Sequence, residues 1–281
     1  MHAVYDERAF LAHCRLGMLA LIIAVSVVAV LMLVALGVAQ YRRWTSPALE
    51  VVAGLYSPAP KGPIRIVSCN VQGIPLLHHS DKMAAFLRKC QEEADVVCFQ
   101  ELFSGGAIEH VREALAGWTL LLPRPFASGL CIATRLHASS PRIMHYSAGA
   151  WADRFVTKGA MALDVAGAHG PLTVVVTHMQ NAGPLTSQYT ELREWLQERP
   201  LDKTLLVGDF NVDPSRTRKE LPDAGKIVRT NAATHEGGEL DYGWATTDVT
   251  VKVEVAGDPP ADHCPLSYIV DAQPLEHEKT P

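Results

Sequence analysis

The sequence predicts an α/β protein, with sheet buried in the middle and helices outside, preceded by one apolar N-terminal helix. Three observations predict it. Short apolar runs of strand length alternate with segments striped at helical spacing. Residues 16–39 form one uncharged apolar stretch. The polar residues that interrupt the short runs fall repeatedly at or just beyond their C-terminal ends.

In chain order, residues 1–15 form a mixed-charge N-terminal tail, followed by LGMLALIIAVSVVAVLMLVALGVA at 16–39. About 20 apolar residues cross a bilayer core, so this run is long enough to be a transmembrane helix. A cleaved signal peptide is the competing reading, because Gly37-Val38-Ala39 offers small residues at a cleavage position. Signal cores run about 7–15 residues, so an uncleaved signal anchor of a single-pass membrane protein is expected. Arg8 and Arg15 before the run balance Arg42 and Arg43 after it, which leaves the side of the membrane unassigned. Tyr41 and Trp44 suit the membrane interface. Residues 40–63 carry Pro47, Pro58, Pro60 and Pro63 and read as a stiff linker. Residues 64–272 read as one soluble domain and 273–281 as a C-terminal tail.

Within the domain, IRIVSC (64–69), DVVCFQ (95–100), LTVVVTH (172–178), TLLVGDF (204–210) and CPLSYIV (264–270) read as strands. Further strands are expected at 129–134, 159–165 and around 249–255. Helical stripes run through Met83, Phe86, Leu87 and Cys90, then Ile108, Val111 and Leu115, then Leu185, Tyr189, Leu192 and Leu196. Val212-Asp213-Pro214 reads as a turn.

From Lys61 onward the chain has 21 Lys and Arg against 27 Asp and Glu, with no basic run. That argues against tight nonspecific binding to nucleic acid, which needs a basic surface. Six cysteines at irregular spacing include no CxxC pair. They read as small buried hydrophobes rather than as a zinc site or disulfide framework.

The chemistry collects at strand ends. Asn70, Glu101, His178, Asp209 and Asn211 terminate or follow apolar runs, whereas Asp241 and Asp262-His263 precede them. Singly, each is an ordinary turn or core residue. Together they form a set that a sheet would bring to one rim. Hard oxygen ligands without cysteine favour Mg²⁺, with Glu101 and the Asn70 amide as the leading ligands. Two histidines and further carboxylates supply acid, base and orienting groups for phosphate-ester hydrolysis. Asn211 can donate to phosphoryl oxygens as charge develops there.

Asn70, QE at 100–101, TH at 177–178, GDFN at 208–211, LDY at 240–242 and DH at 262–263 occur in an order that resembles the endonuclease/exonuclease/phosphatase superfamily. The resemblance spans about residues 64 to 270. It implies a two-sheet β-sandwich flanked by helices, a DNase I-like four-layer α/β/β/α arrangement with the site at one rim. It implies Glu101, Asn70 and Asp262 for Mg²⁺ (Mn²⁺ as a substitute), and His263 as general base oriented by Asp241. It also implies His178 at the transition state or leaving group, with Asp209 and Asn211 positioning water and phosphate.

QELF at 100–103 and GDFNV at 208–212 are similar to the neutral and bacterial sphingomyelinase branch. DRFVTKGAMALDV at 153–165 resembles that branch's D-x4-KG element, with Asp153 and Lys158 as substrate-positioning residues. The expected function is therefore Mg²⁺-dependent, phospholipase C-type hydrolysis of sphingomyelin or a related phospholipid. A DNA or RNA phosphodiesterase is the alternative, since Asn70-Val-Gln-Gly-Ile is also similar to the repair nucleases. A catalytically inactive, membrane-tethered binding module is the alternative of another class.

Overall fold

The computed structural model describes residues 7–45, 49–73, 80–123, 128–149, 158–181, 183 and 185–271. The chain divides into two units after Ser46. The first contains helix α1 (Glu7–Thr45). Its segment Gly17–Ala35 is long and apolar enough to cross a membrane. Met18, Leu21, Leu31 and Leu33 are all more than half exposed, which is not the pattern of a soluble core helix.

The second unit is a two-sheet sandwich. One sheet has seven strands in the order β1 (Leu49–Val52), β4 (Thr119–Pro123), β5 (Cys131–Thr134), β3 (Val96–Gln100), β2 (Ile64–Asn70), β13 (Leu266–Asp271) and β12 (Thr250–Val255). The other has six, in the order β10 (Gly225–Val228), β11 (Asp241–Thr246), β9 (Thr204–Asp209), β8 (Gly170–His178), β7 (Gly159–Gly167) and β6 (Ala138–His145). β2 pairs with β3 in parallel, and β8 with β9; the other ladders are antiparallel. The two parallel pairs are those joined through helices, α2 (Ser80–Glu93) and α4 (Leu185–Gln197), because a parallel return needs a crossover.

Period-two alternation divides each central strand between two apolar surroundings. Val96 and Cys98 of β3 enter the core between the sheets, whereas Val97 and Phe99 pack towards α2 and α3 (Gly105–Ala114). Leu205 and Val207 of β9 likewise face the other sheet, while Leu206 packs with Tyr189 and Leu192 of α4. Both faces are covered, which is why these strands read as unbroken apolar runs. The expected four-layer fold is the observed one. Cys69, Cys90, Cys98, Cys131 and Cys264 are free thiols, and the first four are buried.

Three expectations need correction. The linker over 40–63 is partly regular: α1 continues to Thr45, and Leu49–Val52 is an edge strand paired with β4. The prolines lie outside that strand, and Arg112 clamps Glu50 through two hydrogen bonds of 3.2 Å. Asp213-Pro214 opens helix α5 (Pro214–Glu220) rather than only a turn. Asp213 caps the Ser215 N–H, and Pro214 occupies a first-turn position where no N–H is needed. Strands β4, β6, β10 and β11 were not foreseen as strands. β6 holds Pro141 beside a bulge and lies at a sheet edge, where a missing N–H is tolerated.

Candidate active site

Register alone aligns much of the site. Gly159 of β7 lies opposite His178 of β8, His178 opposite Asp209 of β9, and Asp209 opposite Asp241 of β11, one row across the six-stranded sheet. In the other sheet Asn70 lies opposite Gln100, with Glu101 next along the chain. His263 precedes β13, which runs antiparallel to β2 and so begins at the same rim.

Gly208 makes the close approach of β8 and β9 possible. A Cβ there would lie 2.0 Å from the Thr177 carbonyl oxygen, and its φ of +143° suits glycine alone. Gly159 is required similarly, since a Cβ would lie 2.1 Å from the Met144 carbonyl oxygen. Gln72, Glu101 and Asn211 have φ of 43°, 57° and 54°. Left-handed backbone at three rim residues is strain that the surrounding fold must hold in place.

Asp209 Oδ2 is the hub. Asn70 Nδ2 donates to it at 3.1 Å across the two sheets. His178 Nε2 lies 3.5 Å from it and His263 Nε2 3.9 Å. Asp209 Oδ1 accepts the Asn211 backbone N–H at 2.9 Å, which shapes the sharp exit from β9. The Asn211 amide and Lys158 Nζ both donate to the Met179 carbonyl, at 2.8 and 3.0 Å. One carbonyl thus sets a neutral and a charged donor side by side. Lys158 Nζ also lies 3.0 Å from His178 Nε2. His263 Nδ1 is 2.7 Å from Asp241 Oδ2. Glu101 Oε1 is 3.7 Å from His178 Nε2.

Electrostatics follow from this packing. Burial disfavours charge on His263, but the Asp241 hydrogen bond and charge, with Asp209 and Asp262, outweigh it and raise the imidazole to about 9. Burial, then the charges of Lys158 and His263, hold His178 well below its ordinary range, so it is a neutral imidazole. Burial and the charge of Asp241 raise the Asp209 carboxyl, against the pull of His263, Lys158 and Asn70.

The donor set fits a hard divalent cation. Asp209, Asp241 and His263 bring ligand-type atoms within 4.8 Å of one another, and so do His235, Asp262 and His263. The buried Asp209 carboxyl, its ionisation opposed by the charge of Asp241, is what a bound cation would relieve. Asn70 donates to Asp209 and Glu101 lies against His178 beside this cluster, and among the described residues no cysteine belongs to it.

Of the residues expected from sequence, Asn70, His178, Asp209, Asn211, Asp241 and His263 are linked by these contacts, with Glu101 and Lys158 against His178. Asp262 stands at the outer edge, half-exposed, where Gln72 Nε2 donates to it at 3.1 Å. Asp153 lies outside the described residues. The sequence reading missed Gln72, the Met179 carbonyl and His235. Gln72 and His235 are each within a few residues of a motif position, but neither falls at a strand end.

The model of the Endonuclease/Exonuclease/phosphatase family matches residues 67–267. The chain belongs to this family. Members of the endonuclease/exonuclease/phosphatase family are hydrolases acting on phosphoesters. Comparison with curated proteins finds no match. Solved structures give the same fold. A beta toxin double mutant from Staphylococcus aureus with bound magnesium ions is 15% identical, with TM-score 0.60, covering 74% of this chain and 99% of that one. Sphingomyelinase C from Streptomyces griseocarneus is 14% identical, with TM-score 0.55 over the same 74% and 99%. D. rerio TDP2 complexed with single-strand DNA product is 14% identical, with TM-score 0.62, again covering 74% and 99%. At these identities the likeness establishes the endonuclease/exonuclease/phosphatase fold and not a shared substrate.

Proposed function

We propose that the domain is a Mg²⁺-dependent phosphodiesterase that cleaves sphingomyelin or a related phospholipid in the manner of a phospholipase C, releasing the phosphorylated headgroup. The observation that carries this reading is the His263–Asp241 pair at 2.7 Å, with His263 Nε2 facing the Asp209 hub. Asp241 fixes the imidazole with Nδ1–H towards the carboxylate. Nε2, once unprotonated, then accepts a proton from the attacking water. Asp209 and the Asn70 amide hold that water's surroundings polar and ordered. Asn211 and Lys158, side by side on the Met179 carbonyl, donate to the phosphoryl oxygens as charge builds. His178, neutral and beside the Lys158 ammonium, stabilises the transition state or assists departure of the lipid alkoxide. Glu101, Asn70 and Asp262 would hold the cation, with Mn²⁺ a substitute. When bound, it supplies Lewis-acid polarisation and charge compensation.

The lipid assignment is supported by QELF and the Lys158-Gly159 element, by the apolar helix at the N-terminus and by the negative balance of the domain. An anchor through residues 16–39 keeps the enzyme at a surface where lipid phosphodiesters are concentrated. The fold shared with TDP2 supports the nucleic-acid alternative.

The test is phosphocholine release from sphingomyelin vesicles by the full chain, with Mg²⁺ and with EDTA, beside single-stranded DNA cleavage. Mg²⁺-dependent lipid turnover abolished by His263→Ala is expected. DNA cleavage without lipid turnover would overturn the lipid substrate, and turnover of neither would favour the binding module.

A further inference from the structure

His235 is a third histidine at this rim. It sits in the turn Thr234-His235-Glu236-Gly237-Gly238, six residues before Asp241. The turn is clamped on both sides. Thr234 is fully buried; its hydroxyl accepts the N–H groups of Leu240 and Asp241 at 3.0 Å each, and its carbonyl accepts the Cys264 N–H at 2.8 Å. The Gly238 carbonyl accepts from both Thr234 and His235, and the Gly238 N–H returns to the His235 carbonyl. The backbone under His235 is thus tied to Asp241 and to the residue after His263, the two ends of the 2.7 Å pair.

The side chain lies over the site. Its ring centroid is 4.5 Å from that of His263, tilted by 32°. Its Nδ1 accepts the Gly237 backbone N–H at 3.0 Å. A ring nitrogen that accepts carries no proton, so the proton of His235 sits on Nε2. That Nε2 lies 3.6 Å from Asp262 Oδ2, just beyond hydrogen-bond reach of the same oxygen that takes the Gln72 amide at 3.1 Å. At that separation the contact is long, of the kind that tightens when a site fills. The tautomer also decides between two roles. His235, Asp262 and His263 are close enough to share a cation, but a histidine whose Nδ1 accepts a backbone N–H has no lone pair left on Nε2 for one.

We infer that His235 is a positioning residue of this site: an Nε2–H donor that, with Gln72, holds the Asp262 carboxylate, while its ring braces His263. The inference rests on the phosphodiesterase reading and names a residue that reading does not use. His235 acts through Asp262 and His263, as outer partners of ligating and basic groups do.

Three variants separate donor from ring. His235→Gln can place an amide N–H near the former Nε2. His235→Phe keeps the ring without the donor, and His235→Ala removes both. With the full chain, Mg²⁺ and either sphingomyelin vesicles or bis(p-nitrophenyl) phosphate, His235→Phe and His235→Ala should lower kcat about tenfold or more. KM should stay within about twofold. His235→Gln should recover most of kcat. Wild-type kcat in His235→Phe, or His235→Gln no better than His235→Phe, would overturn the donor role. Loss of a bound Mn²⁺ in His235→Phe that His235→Gln does not restore, counted by paramagnetic resonance, would overturn it too, by making the imidazole a ligand. If the wild-type chain turns over neither probe, the phosphodiesterase reading fails, and the Asp262 carboxyl carbon resonance tests the inference separately. It should move in His235→Phe and return in His235→Gln. An unmoved resonance refutes the positioning.

Discussion

Asp241→Asn is the perturbation that most directly tests the electrostatics of the site. Asn is nearly isosteric, and the Asp241 backbone stays paired to Thr234, so the fold should persist. What is lost is a carboxylate 2.7 Å from His263 Nδ1 in a buried setting. With it, His263 titrates near 9 instead of its ordinary 6.5. Without it, burial dominates and the imidazole should titrate at or below 6.5. At about 1.4 kcal/mol per pH unit, the difference is about 3 kcal/mol. The sign follows from linkage: a histidine whose folded value is raised stabilises the fold fully below the unfolded value and loses that contribution as pH rises through 9. Asp209 acts in the opposite sense. Asp241 raises its carboxyl, so removing Asp241 relieves Asp209 and recovers part of the loss. In EDTA, urea unfolding should therefore show Asp241→Asn less stable at pH 6, by less than about 3 kcal/mol, with the gap closing or reversing by pH 9.5. The His263 ring carbons, followed by NMR, supply the direct reading. A wild-type His263 titrating at 6.5 or below, or one unaffected by Asp241→Asn, would refute the reasoning.

Three further outcomes are expected. Gly208→Ala should cost more than about 2 kcal/mol in urea unfolding, since its Cβ meets the Thr177 carbonyl and its φ is glycine's; wild-type stability would refute the close approach of β8 and β9. Mg²⁺ at a hundred times its Kd should stabilise the chain by about 2.7 kcal/mol over EDTA, and Glu101→Gln should shrink that gain, measured as a Tm shift at one fixed Mg²⁺ concentration. The full chain should stay in the membrane pellet through alkaline carbonate extraction, and release to the supernatant would count against a spanning role for Gly17–Ala35.

Legibility differed by element for physical reasons. β2, β3, β8 and β9 were readable because strands covered on both faces must be apolar throughout, and their polar exits mark where cover ends. β4 was hidden because its five buried residues follow α3 closely, and a short apolar run does not distinguish strand from helix. β6 was hidden by Pro141 and a bulge, which only an edge position permits. α5 was obscured because Asp-Pro serves equally as turn initiator and as helix cap with first-turn proline; the packing of Thr217 against Tyr189 and Tyr242 decides for helix.

At the site, the sequence by itself determined the inventory. It supplied the carboxylates, amides and histidines, their order along the chain, and their placement at strand ends, because local hydrophobic pattern fixes where a strand must stop. Only the tertiary structure decided which of them meet. Asn70 and Asp209 are 139 residues apart and bond across two sheets, and His263 finds Asp241 through strands in different sheets. His178 and His263 are the same residue type, yet their surroundings drive them in opposite directions. Burial lowers both; the charges of Lys158 and His263 add to it at His178, whereas Asp241 outweighs it at His263. Charge environment is a property of three-dimensional neighbours, so no pattern along the chain could have assigned a neutral imidazole to one and a cationic one to the other.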